Sequence, residues 1–200
     1  SIDGRKSVMG PSGQGGEKMS YILQDYTPVQ VHLTVNGQEY DMAVPPYLTL
    51  LELLREELHL TGVKCGCDDS NCGACTVLIN GQPFKSCCTL VAQVNGKRIL
   101  TIEGLAQNGV LHPMQQAFID HFALQCGFCT PAMILTAISI LEENPEADED
   151  AVREGLHGNI CRCTGYQKIV EAILAVRNGE YADLQKRWEE QHTTKRGAVQ

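Results

Sequence analysis

Cys67, Cys72 and Cys75 stand at C-x4-C-x2-C inside the run Lys64-Cys65-Gly66-Cys67-Asp68-Asp69-Ser70-Asn71-Cys72-Gly73-Ala74-Cys75, and Cys87 follows after a stretch patterned strand, turn, strand. Four thiolates at this spacing are the plant-type set for a [2Fe–2S] cluster. Three of them must converge on one small inorganic core, so the loop between them has to curl tightly. Gly66 and Gly73 permit such a backbone. A loop of this kind also turns amide N–H groups towards the sulfurs, which tunes the cluster's potential.

A second set lies further along. Cys126-Gly127-Phe128-Cys129 comes just before a helix opening at Pro131, and Cys161-Arg162-Cys163 just before the last strongly apolar helix. Two helix starts lying side by side bring four thiolates together. Their free N–H groups and positive dipole ends favour an anionic thiolate cluster. A zinc site competes, but its cysteines usually come as C-x2–4-C pairs, and C-x-C fits that poorly. A thioredoxin-like redox pair needs a βαβ setting, which is missing. A c-type haem needs His after Cys129, where Thr130 stands.

Composition narrows the classes. The net charge of −8 comes without a basic block, which argues against nucleic acid or an anionic membrane surface as partner. No apolar run reaches the roughly 18 residues of a membrane span. Ten cysteines in 200 residues fit either a disulfide framework or metal and redox chemistry. Their tight grouping favours metal. The first residues show neither a signal-peptide pattern nor a twin-arginine pair, so a cytoplasmic location is the expectation.

The elements that must position these cysteines follow from periodicity. Residues 1–28, rich in Gly, Ser, Lys and Gln, read as a flexible arm. Val29, Val31, Leu33 and Val35 alternate with polar residues, Asn36-Gly37 signals a hairpin, and Tyr40, Met42 and Val44 resume the alternation. Thr49 and Glu52 form a capping box opening a helix with Leu50, Leu51, Leu53, Leu54 and Leu58 on its core face. Beyond the first cysteine loop, Thr76–Ile79, the Asn80-Gly81 turn and Gln82–Ser86 read as another hairpin, and Arg98–Ile102 as a last strand. This is an α+β unit over 29–104. Helices are expected over Pro113–His121, Pro131–Glu142, Asp148–Leu156 and Ile169–Val176, two pairs forming an all-α unit over 105–178. His112 reads as opening the first of them, and His157 as complementing the end of the third. Residues 179–200 make a charged tail carrying the lone Trp188, to which no catalytic role is assigned.

Taken with Gly62-Val63-Lys64 ahead of the first cysteine run, the segments Gln125-Cys126-Gly127-Phe128-Cys129-Thr130-Pro131 and Gly158-Asn159-Ile160-Cys161-Arg162-Cys163-Thr164-Gly165-Tyr166 carry a family likeness. The chain resembles the iron–sulfur small subunit of the molybdenum hydroxylases, the group of xanthine oxidase and the carbon monoxide, aldehyde and N-heterocycle dehydrogenases. The resemblance spans about residues 29–178. It implies a β-grasp plant-type ferredoxin domain followed by an all-α four-helix domain. One [2Fe–2S] cluster would sit on Cys67, Cys72, Cys75 and Cys87, the other on Cys126, Cys129, Cys161 and Cys163.

It further implies a large partner subunit with molybdopterin and a medium one with FAD, assembled as a dimer of heterotrimers. This chain, not catalytic alone, would relay electrons from the molybdenum centre through the second cluster and then the first to FAD. Gln125 would contact the pterin. Motif register favours Cys87 over Cys88, and spacing favours Cys67 over Cys65. Cys65 and Cys88 are then expected as small buried hydrophobes. Ala132 stands where relatives often carry Gly, and Asp68 and Asp69 are expected to be solvated. Three alternatives stay open: a subunit of a reductive relative that removes a hydroxyl from an aromatic thioester, a free-standing two-cluster ferredoxin or redox sensor, and a zinc-stabilised interaction module.

Overall fold

The computed structural model of the chain describes residues 6–7, 26–106 and 108–196. Most of the expected arm over 1–28 lies outside the described residues.

Strand β1 (Lys6–Ser7) runs parallel to β3 (Gln38–Val44), which pairs antiparallel with β2 (Val29–Val35). Asn36 and Gly37 both take left-handed φ, 51° and 81°, which gives the turn the twist of its flanking strands. The second hairpin, β4 (Thr76–Ile79) and β5 (Gln82–Lys85), repeats this with Asn80 at 51° and Gly81 at 87°. Strand β6 (Arg98–Leu100) lies between them, parallel to β2 and antiparallel to β4, so the sheet order is β1-β3-β2-β6-β4-β5. Pro83 sits on β5, the edge, where a missing N–H costs the ladder nothing.

The Thr49–Glu52 capping box is present, with Glu52 N–H donating to Thr49 Oγ1 at 3.2 Å and Thr49 N–H to Glu52 Oε2 at 3.0 Å. Helix α1 (Leu50–Glu52) runs on into a π-helical turn (Leu53–Glu57), which buries Leu53 and Leu54 beside Leu50 and Leu51. These leucines pack under Val31, Leu33, Val35, Met42 and Val44, forming the core of the sheet unit. Leu58 is only half-buried.

Helices α2 (Pro113–Asp120), α3 (Thr130–Glu143), α4 (Glu149–Gly155) and α5 (Gln167–Arg177) surround a second core built on Phe118, Met133, Leu135, Leu156, Ile169 and Ile173. His112 caps α2, its Nδ1 accepting from Met114 N–H at 3.0 Å, and Asp148 caps α4, accepting from Ala151 N–H at 2.9 Å. His157 stays exposed beside Glu154 at 3.2 Å. Within α3, Ala132 to Ser139 are all buried because helices cover one side and the sheet the other.

Strand β4 is the seam between the two cores. All four of its residues are buried, and since side chains alternate, Val77 and Ile79 enter the sheet core while Leu78 enters the helical one. The charged stretch beyond 179 contains a further helix, α6 (Ala182–Arg196). Its Trp188 donates from Nε1 to Leu105 O at 2.7 Å and meets the His112 ring edge-on at 4.6 Å, so it packs within this chain. Among the described residues no helix is long and apolar enough to cross a membrane.

Candidate metal centres

All ten cysteines are free thiols, although several lie close together. The first set occupies the loop running into β4. Its curl comes from left-handed backbone at Asp68 (φ 61°), Ser70 (φ 69°) and Gly73 (φ 71°). Gly66 serves differently from expectation, since it has no left-handed φ. A Cβ there would stand 2.8 Å from Cys72 Sγ and 3.2 Å from the Phe128 ring, so glycine is needed for room. Lys85 Nζ donates to Ser70 O at 2.8 Å and ties the loop to β5. The buried Ser86 donates to Cys75 O at 2.8 Å, which holds Cys87 beside Cys75. Asp68 and Asp69 are exposed, as expected.

Amide hydrogens point at sulfur, Cys72 N–H to Cys67 Sγ at 3.3 Å and Ala74 N–H to Cys72 Sγ at 3.5 Å. Cys67 and Cys72 lie close enough to act on each other's protons, as do Cys75 and Cys87, and Cys87 Sγ also stands 3.7 Å from Cys88 Sγ. Burial, with the neighbouring Cys75 thiol adding to it, pushes Cys87 up to about 12. The Asp69 side chain pulls Cys67 upward, yet the Asp69 and Cys72 backbone N–H groups win and its pKa is lowered.

The second set is assembled from two helix approaches. Cys129 is the residue before α3, and Cys161 and Cys163 lie in the turn ahead of α5. That turn is fixed by Tyr166, whose hydroxyl accepts from Cys161 N–H at 2.8 Å and donates to Asn159 O at 3.1 Å. Tyr166 takes a left-handed φ of 70° to do so. Cys126 and Cys163 bring their sulfurs to 3.6 Å, and Cys129 pairs with Cys161. Burial, then Cys161, pushes Cys129 up to about 12. At Cys161 burial acts upward too, but bonds from the Thr164 hydroxyl and N–H outweigh it and the pKa falls.

In both sets the thiols expected as ligands therefore fall into neighbouring pairs, with the exposed Cys88 a further neighbour of Cys87. Two thiolates on one tetrahedral metal with bonds of about 2.3 Å stand roughly 3.8 Å apart. The 3.6 Å separation of Cys126 and Cys163 matches a pair sharing one metal. A single zinc would draw all four sulfurs together. Among the described residues no three His, Cys, Asp or Glu side chains gather around one metal position. The donor chemistry, four soft thiolates arranged as two pairs, fits a binuclear iron–sulfur core.

Two expectations are corrected. Cys65 and Cys88 are exposed rather than buried. Val63 already fills the inward place near Cys65, and in the turn Ser86–Cys88 it is Ser86 and Cys87 that point inwards. Gln125, next to the exposed Cys126, is itself exposed. Thr164 and Tyr166 lie inside the last segment that carries the family likeness, whereas Ser86 has no periodic or spacing signal, and only the structure shows all three positioning thiols.

Residues 33–111 match the family described as "2Fe-2S iron-sulfur cluster binding domain", and residues 101–174 match the "[2Fe-2S] binding domain". The chain is thus an iron–sulfur protein with two [2Fe–2S]-binding domains in tandem. The nicotine 6-hydroxylase small subunit of Paenarthrobacter nicotinovorans is 49% identical over 146 residues, 73% of this chain and 88% of that one. The nicotinate dehydrogenase small FeS subunit of Eubacterium barkeri is 44% identical over 145 residues, 72% of this chain and 92% of its own. Among solved structures, quinoline 2-oxidoreductase from Pseudomonas putida 86 superposes with a TM-score of 0.73 at 47% identity, covering 78% of this chain and 96% of that one. The chain belongs to the iron–sulfur small subunits of the molybdenum hydroxylases.

Proposed function

We propose that this chain is the electron-transfer subunit of a heteromeric molybdopterin-dependent hydroxylase or dehydrogenase, and is not catalytic alone. Cys67, Cys72, Cys75 and Cys87 hold one [2Fe–2S] cluster, and Cys126, Cys129, Cys161 and Cys163 hold the other. The pairing of thiols two by two in both sets is the observation that carries this reading. Each cluster, when bound, accepts and returns a single electron. The protein's own part is to present deprotonated sulfur, to direct amide N–H groups at it, and to keep the two loops together.

In this reading 29–104 is a β-grasp ferredoxin domain and 105–178 a four-helix domain. A cytoplasmic location is part of the same reading. A large subunit carrying molybdopterin docks at the second cluster. Supporting this, Phe122, Leu124, Phe128 and Ile160 are exposed apolar side chains in the same segments as the exposed Cys126 and Cys163. In this reading Gln125, exposed in the same segment, contacts the partner's pterin. A medium subunit carrying FAD takes the electrons from the first cluster, and the whole forms a dimer of heterotrimers. The relatives named above are subunits of a hydroxylase and a dehydrogenase. They lend no support to a reductive or free-standing role.

Chemical analysis tests the assignment. The purified chain should contain about four irons and about four acid-labile sulfides, as two binuclear clusters require, with two distinct paramagnetic signals on reduction. Iron without sulfide, or zinc in its place, would overturn it.

A further inference from the structure

The two thiolate loops are joined directly, and the joint centres on a side chain that touches neither set. Asn159 is 4% exposed and uses its whole amide. Its Oδ1 accepts from Thr136 Oγ1 of α3 at 3.1 Å, while Nδ2 donates to Gly73 O at 3.0 Å and to Thr76 Oγ1 at 3.3 Å. Thr76 Oγ1 in turn donates to Gly73 O at 2.7 Å. One buried amide thus grips the first loop between Cys72 and Cys75 while being held from the helical side.

The backbones meet at the same place. Ile160 N–H donates to Cys72 O at 2.9 Å, linking the residue before Cys161 to a thiol-bearing residue of the other set. Gly73 lies so close to the second loop that a Cβ on it would fall 2.1 Å from Gly158 O and 3.0 Å from Asn159 Cα. From Cys72 to Cys161 the route is covalent except for that single hydrogen bond. Electron transfer weakens steeply across an unbonded gap, so whatever holds this contact closed governs transfer between the two loops.

We propose that Asn159 is the positioning residue that sets electronic coupling between the two clusters, by clamping the Gly73 carbonyl and keeping the Ile160–Cys72 hydrogen bond closed. A buried amide with all its bonds satisfied defines one geometry. Without it, the Gly73 carbonyl keeps only the Thr76 bonds of its own loop, and the Thr136 hydroxyl loses its Asn159 acceptor in a region closed to water. With no side chain bridging the first loop to the helical side, the two loops part slightly. The inference rests on the ligand assignment proposed above.

The test uses the full chain loaded with iron and sulfide. The wild-type chain is reduced fully, and the magnetic interaction between its two paramagnetic clusters is read at low temperature. The rate at which an electron injected by pulse radiolysis equilibrates between them is measured alongside. In Asn159→Ala both signals should persist at wild-type iron content, the interaction should weaken, and equilibration should slow severalfold. Thr136→Val keeps the amide and removes only the hydroxyl that orients it. It should shift both readouts the same way and less, and it decides the matter if the alanine variant does not hold its iron. Wild-type interaction and rate in an iron-replete variant would reduce Asn159 to packing and overturn the proposal. A wild-type chain without two paramagnetic signals would instead remove the ligand assignment itself, so the two failures are told apart.

Discussion

The two thiol sets reach the same two-by-two arrangement by opposite routes. The first is almost contiguous. Three of its cysteines lie on one loop stiffened by three left-handed residues, and the fourth arrives from the end of the neighbouring strand, with Cys75 and Cys87 buried. The second is non-local, since Cys126 and Cys129 are separated from Cys161 and Cys163 by the whole of α3 and α4. Two of its thiols, Cys126 and Cys163, face outward. A loop that carries its own curvature can be held inside a small domain. A set taken from two helix approaches exists only once those helices pack, and it leaves an open side. The difference leaves one site enclosed and the other open on one side.

The most drastic way to break the symmetry is Cys126→Ser. In the assembled complex it should abolish the second paramagnetic signal, stop turnover, and leave the ferredoxin-type signal intact. An unchanged pair of signals would sink the assignment of the second set. Next in size is Gly73→Ala, where the contiguous loop meets the non-local one. The left-handed backbone alone costs an alanine roughly 1–2 kcal/mol. The clash with Gly158 O adds to it, because backbone cannot swing aside as a side-chain tip can. Denaturant melts should show a loss exceeding that figure, whereas Gly96→Ala, with φ of 74° and open space around it, should cost only the backbone strain.

The gentlest comparison is by pH in the iron-free chain. Each set contains one thiol, Cys87 or Cys129, that burial raises from 9.0 to about 12. The folded chain keeps that proton where the unfolded chain loses it, so both sites contribute full stability below about pH 9 and lose it as pH climbs towards 12. Thermal melts of the iron-free chain should therefore fall across this window. Cys87→Ser and Cys129→Ser should each flatten part of the fall. The loaded chain, whose thiols are already deprotonated, should not show it. A flat profile for the iron-free chain would mean that these thiols are not held neutral by burial.

Much of this architecture is legible in the sequence alone. Both Asn-Gly hairpins, the Thr49–Glu52 capping box, the alternation of Val31, Leu33 and Val35, and the four helices α2 to α5 have local causes that act within a few residues. So does the spacing of Cys67, Cys72 and Cys75, since short-range geometry dictates it. The failures have a common origin in packing. Cys65 and Cys88 look like core residues by type, but Val63, Ser86 and Cys87 already occupy the inward positions next to them. Gly66 reads as backbone freedom for a tight curl, yet its need is for space beside Cys72 and Phe128. Trp188 sits in a charged helix with no apolar stripe, and only the fold shows Leu105 O and His112 waiting for it.

Residue types and spacing by themselves determined that this chain would carry two thiolate sets on an α+β unit and a helical one, because ligand chemistry and short-range backbone preferences are written along the chain. Which thiol pairs with which, which ones face outward, and how closely the two loops approach were decided only by tertiary structure. Those properties depend on where β4, α3 and the turn before α5 come to rest against one another. Asn159 shows the limit most clearly: a lone asparagine in a loop carries no sign of its role until Gly73, Thr76 and Thr136 surround it.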